Sequence, residues 1–261
     1  MRIRHFSDPI RKTVTAISSI LLLLSSGGVT SYFDVIGTDF DVIGTVILAQ
    51  AEAPDLNHII AEFTSRESEA RAAFDNYGYT RYLVTKSIKD GKITGEYRQT
   101  TEVGLGKSGK LEERVLSFPK PSLTELVVTP EDLEDLSANC IFPLESANAS
   151  KYKFSYVGKE RLEEVETYVF NVEPKASPSR ECLYTGQIWV RVSDLRIVRM
   201  LGRSVRKTNQ KFPMLDRRRV AVRDQFMFPS HATADEELVF PKATVHMQME
   251  VQYFGYVKLR N

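Results

Sequence analysis

Along residues 245–253 apolar and polar side chains alternate one for one. Val245, Met247, Met249, Val251 and Tyr253 face one way, and His246, Gln248, Glu250 and Gln252 the other. A period of two marks a β-strand with one face buried. Tyr152, Phe154 and Tyr156 repeat the pattern, as do Tyr168, Phe170 and Val172, and Ile188, Val190 and Val192. Further strands are predicted over residues 79–88, 93–103, 111–118, 196–202, 217–222 and 226–233. Turn signals separate them: Asp90-Gly91, Ser108-Gly109, Gly158-Lys159 and Ser193-Asp194. About ten strands joined by short turns predict an antiparallel meander.

Two segments break the alternation. Leu56, Ile59, Ile60, Phe63, Ala70, Phe74 and Tyr77 recur at helical spacing. Glu62, Arg66, Glu67, Glu69, Arg71 and Asp75 fill the other positions. Pro54-Asp55 supplies a start and Gly78 a stop, so one long helix is predicted. A short second helix is predicted from Thr129-Pro130-Glu131-Asp132 to about Leu136. Its signature is a capping hydroxyl, a proline at the first turn and acids beside the positive helix end.

These elements set a covering problem. About ten strands at ~4.8 Å spacing make a face about 48 Å wide, whereas one helix is about 10–12 Å across. The predicted fold class is therefore mainly β (α+β). It is a curved antiparallel sheet or incomplete β-barrel, its open face covered by a long N-terminal helix and a short one. Such a sheet either leaves an apolar cavity or packs fully. If a cavity exists, the apolar strand positions Phe154, Phe170, Ile188, Val190, Met247 and Met249 are its candidate lining; in a packed sheet they are core.

Composition narrows the picture. The 261 residues are 42% hydrophobic and 26% charged, with a net charge of +1. No global field points to nucleic acid. Arg2, Arg4, Arg11 and Lys12 precede an apolar run over residues 16–24, followed by Ser25-Ser26-Gly27-Gly28. That is the order of a secretory signal, and it makes the cell envelope or periplasm the expected location. The alternative is a retained membrane anchor, although the run is short of the about 20 residues a span needs. Cleavage falls near Gly28 or after Ala49-Gln50-Ala51, giving a leader over residues 1–51 and a β domain over residues 52–261. Between those sites Phe33-Asp34-Val35-Ile36-Gly37-Thr38 recurs as Phe40-Asp41-Val42-Ile43-Gly44-Thr45, too few copies for a repeat fold. No cysteine follows the apolar run, so a lipid anchor on cysteine is not expected. The only cysteines, Cys140 and Cys182, either pair in that oxidising compartment or stay as two thiols.

Catalytic motifs are absent. Gly104-Leu105-Gly106-Lys107-Ser108-Gly109-Lys110 has phosphate-loop spacing, but Leu111 replaces the required hydroxyl and a strand follows, so a hairpin tip is expected. His5, His58, His231 and His246 have no zinc-site spacing, and no cofactor or metal is expected. A basic stretch over residues 203–219, including Arg217, Arg218 and Arg219, is expected to be a loop. It is either simply solvated or faces an anionic membrane or an envelope partner.

Several segments together resemble one family. They are Asn76-Tyr77-Gly78-Tyr79-Thr80, Gly95-Glu96-Tyr97-Arg98, the Thr129 helix start, Thr167-Tyr168-Val169-Phe170-Asn171-Val172, and Gly186-Gln187-Ile188-Trp189-Val190 answered by Leu195-Arg196-Ile197-Val198-Arg199. Over about residues 62–256 they look like the outer-membrane lipoprotein-sorting proteins of the LolA/LolB-like superfamily. The resemblance implies an incomplete barrel plugged by helices and a cavity for lipid or lipoprotein acyl chains. It implies no catalytic residue and no cofactor. The competing expectations are a packed envelope interaction protein and an envelope hydrolase using two carboxylates.

Overall fold

The computed structural model describes residues 54–259 apart from 177–179, 209 and 242, and the side chain of Asn139 is left aside. The leader, its tandem repeat, both cleavage sites and His5 lie outside the described residues. The order of elements is α1 (Leu56–Phe74), β1 (Tyr77–Lys89), β2 (Lys92–Leu105), β3 (Leu111–Ser117), α2 (Pro130–Glu134), α3 (Ala138–Ile141) and α4 (Ser146–Ala149). Seven strands follow: β4 (Tyr152–Leu162), β5 (Val165–Pro174), β6 (Leu183–Arg191), β7 (Ile197–Val205), β8 (Leu215–Val222), β9 (Phe226–Phe240) and β10 (Ala243–Lys258).

All ten strands join one antiparallel sheet in the order β3-β2-β1-β10-β9-β8-β7-β6-β5-β4. The expected open meander is thus the architecture, with β3 and β4 as its edges. The one non-consecutive pairing, β1 with β10, runs from Tyr77 opposite Lys258 to Ile88 opposite His246.

The Asp55 carboxylate accepts the His58 amide hydrogen and starts α1. The helix stops at Phe74, one turn earlier than predicted. Asn76 caps the exposed carbonyls, its amide nitrogen donating to Ala73 and its side chain to Ala72. Tyr77 therefore opens β1 and packs edge-on against Phe228, 5.1 Å between centroids. Glu67 also departs from its assignment to the polar face: it sits on the packed stripe at 2% exposure.

The face of the sheet that carries α1 is called inner below. The N-terminal half of α1 places Ile59 and Phe63 on Phe170, Val172, Ile188 and Val190. Its C-terminal half places Ala70 and Phe74 among Tyr79, Leu83, Phe142, Phe228 and Val251. Phe63 meets Phe154 at 5.4 Å and Phe170 at 5.7 Å; Phe74 meets Tyr79 at 4.8 Å and Phe228 at 5.2 Å. One helix thus bridges two apolar clusters on either side of the middle of the sheet.

Residues 203–219 are not a loop throughout. Residues 203–205 finish β7, and Leu215 to Arg219 begin β8. Alternation then turns Arg217 and Arg219 inward and Arg218 outward, where it meets Asp216 at 3.5 Å. A membrane-facing loop bearing all three arginines is excluded by that register.

Candidate functional site

The inner face is covered unevenly. Beyond α1, residues 118–128 leave the edge strand β3 and turn back over the sheet. The Ser122 amide donates to the Glu96 carbonyl at 2.9 Å, and Ser122 Oγ accepts from the Glu96 amide at 2.9 Å. This approach needs Gly95, since a β-carbon there would stand 2.6 Å from the Ser122 carbonyl oxygen. Leu123 and Val128 then pack onto the core. A second segment, residues 210–214, is pinned where the Met214 amide donates to Glu236 at 2.7 Å.

Between these two segments and the sheet lies a cavity of about 140 Å³. Its floor is the inner side of three adjacent strands: Thr85 on β1, Met247 and Met249 on β10, Leu238 and Phe240 on β9. Leu126, Val127 and Val128 form one wall, and Gln210, Lys211 and Pro213 another. Phe240 and Glu125 also line an adjoining open groove of about 360 Å³ that continues over Pro241, Ala243 and Val245. Val127 is 80% exposed at this end of the molecule.

Three ionisable side chains, Glu125, Asp132 and Lys211, line the cavity beside the apolar ones. Asp132 lies in its wall. Burial pushes that carboxyl above its ordinary range, although the Thr129 amide and hydroxyl hydrogen-bond to it and pull the other way. The Thr129–Asp132 exchange is the capping box that starts α2. Lys211 is exposed.

Of the six apolar positions singled out in the sequence, Met247 and Met249 line this cavity. Phe154, Phe170, Ile188 and Val190 lie elsewhere, packed beneath the N-terminal half of α1. Cys140 and Cys182 are joined by a disulfide with their α-carbons 5.3 Å apart, tying α3 to the start of β6.

The basic stretch supplies internal counter-ions. Arg219 donates to both oxygens of Glu67, and Arg217 to Asp135 at 3.2 Å. Asp135 also receives the Ser204 hydroxyl and stands 3.6 Å from Arg206. Arg81, 1% exposed, donates to the Leu136 carbonyl and to Glu113. These contacts fix the end of α2 and the middle of α1 onto the sheet. The sequence signal for them was the i, i+2 spacing of Arg217 and Arg219, which puts both on one strand face, and the place of Glu67 in the stripe between Phe63 and Ala70.

The opposite, outer face carries a groove of about 630 Å³ crossing β7 to β10 and β1. Its polar groups are largely committed to each other: Arg203 to Glu236, His246 and Gln248 to Asp235, His231 to Glu250. On the same face Trp189 donates to Glu160 at 3.0 Å and lies under Arg199. The Gly104–Lys110 segment is the β2–β3 hairpin tip, closed by the Gly106 amide on the Lys110 carbonyl, with no helix after it. Among the described residues, no helix is long and apolar enough to cross a membrane.

No family model matches the chain, and no curated protein matches it either. Solved structures do. The chain is similar to a LolA superfamily protein from Nitrosomonas europaea at 15% identity and a TM-score of 0.41, over 80% of this chain and 95% of that one. A DUF1329 family protein from Desulfovibrio piger aligns at 14% identity and a TM-score of 0.40, over 76% and 91%. An outer-membrane lipoprotein-sorting protein domain from Vibrio parahaemolyticus aligns at 12% identity and a TM-score of 0.37, over 76% and 92%.

Proposed function

We propose that this protein is a binding protein, not an enzyme, and that it holds an acyl chain of a lipid or lipoprotein against the inner face of β1, β10 and β9. The observation that carries the reading is the mainly apolar cavity over Met247 and Met249, which shares Phe240 and Glu125 with an adjoining open groove. Packed cores rarely leave such space, and ligand sites are typically concave and mostly apolar with a few polar groups.

Magnitudes limit the guest. Each methylene removed from water contributes about 0.8 kcal/mol. Association costs on the order of 4–15 kcal/mol. A chain must therefore bury roughly ten methylenes before it is held. The cavity of about 140 Å³ alone is too small for that, so the guest extends along the groove past Ala243 and Val245.

The leader pattern supports a periplasmic location for this activity, where sheltering acyl chains would serve lipoprotein or lipid traffic to the outer membrane. The test is native mass spectrometry of protein purified from a membrane-containing lysate, with titration of a fluorescent fatty acid. Co-purified lipid and saturable uptake are expected. Absence of both overturns the reading.

A further inference from the structure

Thr85 is the exception in the cavity floor. It is 2% exposed, and its hydroxyl finds no hydrogen-bond partner among the described residues. Its neighbours in the register are Met249 on β10 and Tyr97 on β2. Two residues along the same face, Ser87 is equally buried, but its hydroxyl is paired with Thr94. Ser137 Oγ and Arg206 Nε are also buried without partners, yet neither lines this cavity. Among the described residues, Thr85 is the one buried unpartnered hydroxyl that belongs to the lining of this cavity.

A buried hydroxyl left unpaired carries a free-energy penalty that valine at the same place would not. A guest that brings an oxygen to Thr85 removes the penalty; a plain hydrocarbon tail does not. The chemistry selects which oxygen. The hydroxyl needs an acceptor for its proton. A carboxylate would add a third acid to a lining that already holds Glu125 and Asp132 against one cation, Lys211, and an alcohol would bring a second proton needing its own acceptor. An ester carbonyl is neutral and only accepts.

We infer that the cavity selects acyl esters, with Thr85 Oγ donating a hydrogen bond to the ester carbonyl oxygen while the chain runs out over Phe240 towards Val245. This deepens, and rests on, the proposed acyl-chain binding. It makes Thr85 a specificity residue: apolar contact supplies affinity, and the hydroxyl distinguishes an acyl lipid from other greasy molecules.

The test compares decanoyl glycerol with decyl glycerol ether, which differ by the carbonyl oxygen, as competitors for the bound methyl ester of dansyl-undecanoic acid. The wild-type protein should bind the ester about tenfold more tightly than the ether, the worth of one well-made hydrogen bond to an otherwise unpaired group. Thr85→Val keeps the shape and removes the donor, so it should bind both alike, at the ether's affinity. Thr85→Ser keeps the donor and should retain the preference. A wild-type protein that treats ester and ether alike, or a Thr85→Val variant that keeps the preference, overturns the inference. Failure of the wild-type protein to bind the probe or either competitor instead removes the acyl-chain reading itself.

Discussion

Glu67 on α1 and Arg219 on β8 meet in a two-pronged ion pair, at 2.5 Å and 2.7 Å, in which each side chain is only 2% exposed. The pair sits between the two apolar clusters that α1 bridges. Arg219 also donates to the Ile141 carbonyl and lies over the Phe142 ring. Removing one partner strands a charge in an apolar interior. Glu67→Ala is expected to destabilise the fold by about 3–5 kcal/mol. Glu67→Leu combined with Arg219→Met should recover most of that loss, because the uncompensated charge goes with its partner. Urea unfolding of the wild type, the single variant and the double variant checks this. Equal losses in single and double variants would refute it.

The disulfide closes a loop between residues 42 apart in sequence. Constraining an unfolded chain over that length is worth about 4 kcal/mol. The double variant Cys140→Ala, Cys182→Ala should lose about that much, and added dithiothreitol should lower the wild-type midpoint but leave the variant's unchanged.

Alkali should unfold the protein through its tyrosines. Burial raises the Tyr79 and Tyr152 phenols from 10.0 to about 12, and pushes up those of Tyr184, Tyr253 and Tyr256 as well. Between pH 10 and about 12 the unfolded chain loses protons that the folded chain keeps at Tyr79 and Tyr152. Stability contributed by these groups is complete below pH 10 and falls as the pH rises through that window. The phenolate absorbance of these five tyrosines should therefore appear together with loss of circular dichroism, rather than before it.

Cavity and core should separate by mutation. Met249→Trp fills the space beside Thr85 and should reduce fatty-acid uptake at least tenfold while the protein stays folded. Phe170→Ala, beneath α1, should cost about 3–5 kcal/mol of stability and leave uptake per folded molecule unchanged. Fluorescent fatty-acid titration alongside thermal unfolding reads both effects.

The sheet was legible in the sequence wherever one face is greasy and the other wet. That holds along β10, where Val245 to Tyr253 alternate without a break. It fails where both faces carry charge. β9 runs on through Asp235, Glu236 and Glu237 to Phe240, because Asp235 pairs with His246 and Glu236 with Arg203 across the sheet. Arg217 and Arg219 misled for the same reason: a buried guanidinium looks like a solvated one until its carboxylate, on another element, is known. Met247 and Met249 could be marked as inward-facing from alternation alone. Which inward-facing residues border open space could not, since that depends on the paths of residues 118–128 and 210–214. Those paths are set by a few long-range hydrogen bonds, among them the reciprocal pair between Ser122 and Glu96 and the Met214 amide on Glu236.

The pairing of β1 with β10 has a consequence for biosynthesis. Tyr77, near the start of the domain, finds its strand partner at Lys258, near the end. The first hairpins can form early, but β1 stays an open edge until β10 has been made, and α1 lacks the floor beneath its C-terminal half. The meander from β4 to β9 waits for the same strand. The sheet therefore becomes continuous only after β10 has been synthesised, and contacts of such long sequence separation form slowly. During that interval β1 presents an unpaired edge, a surface on which a strand of another chain could add.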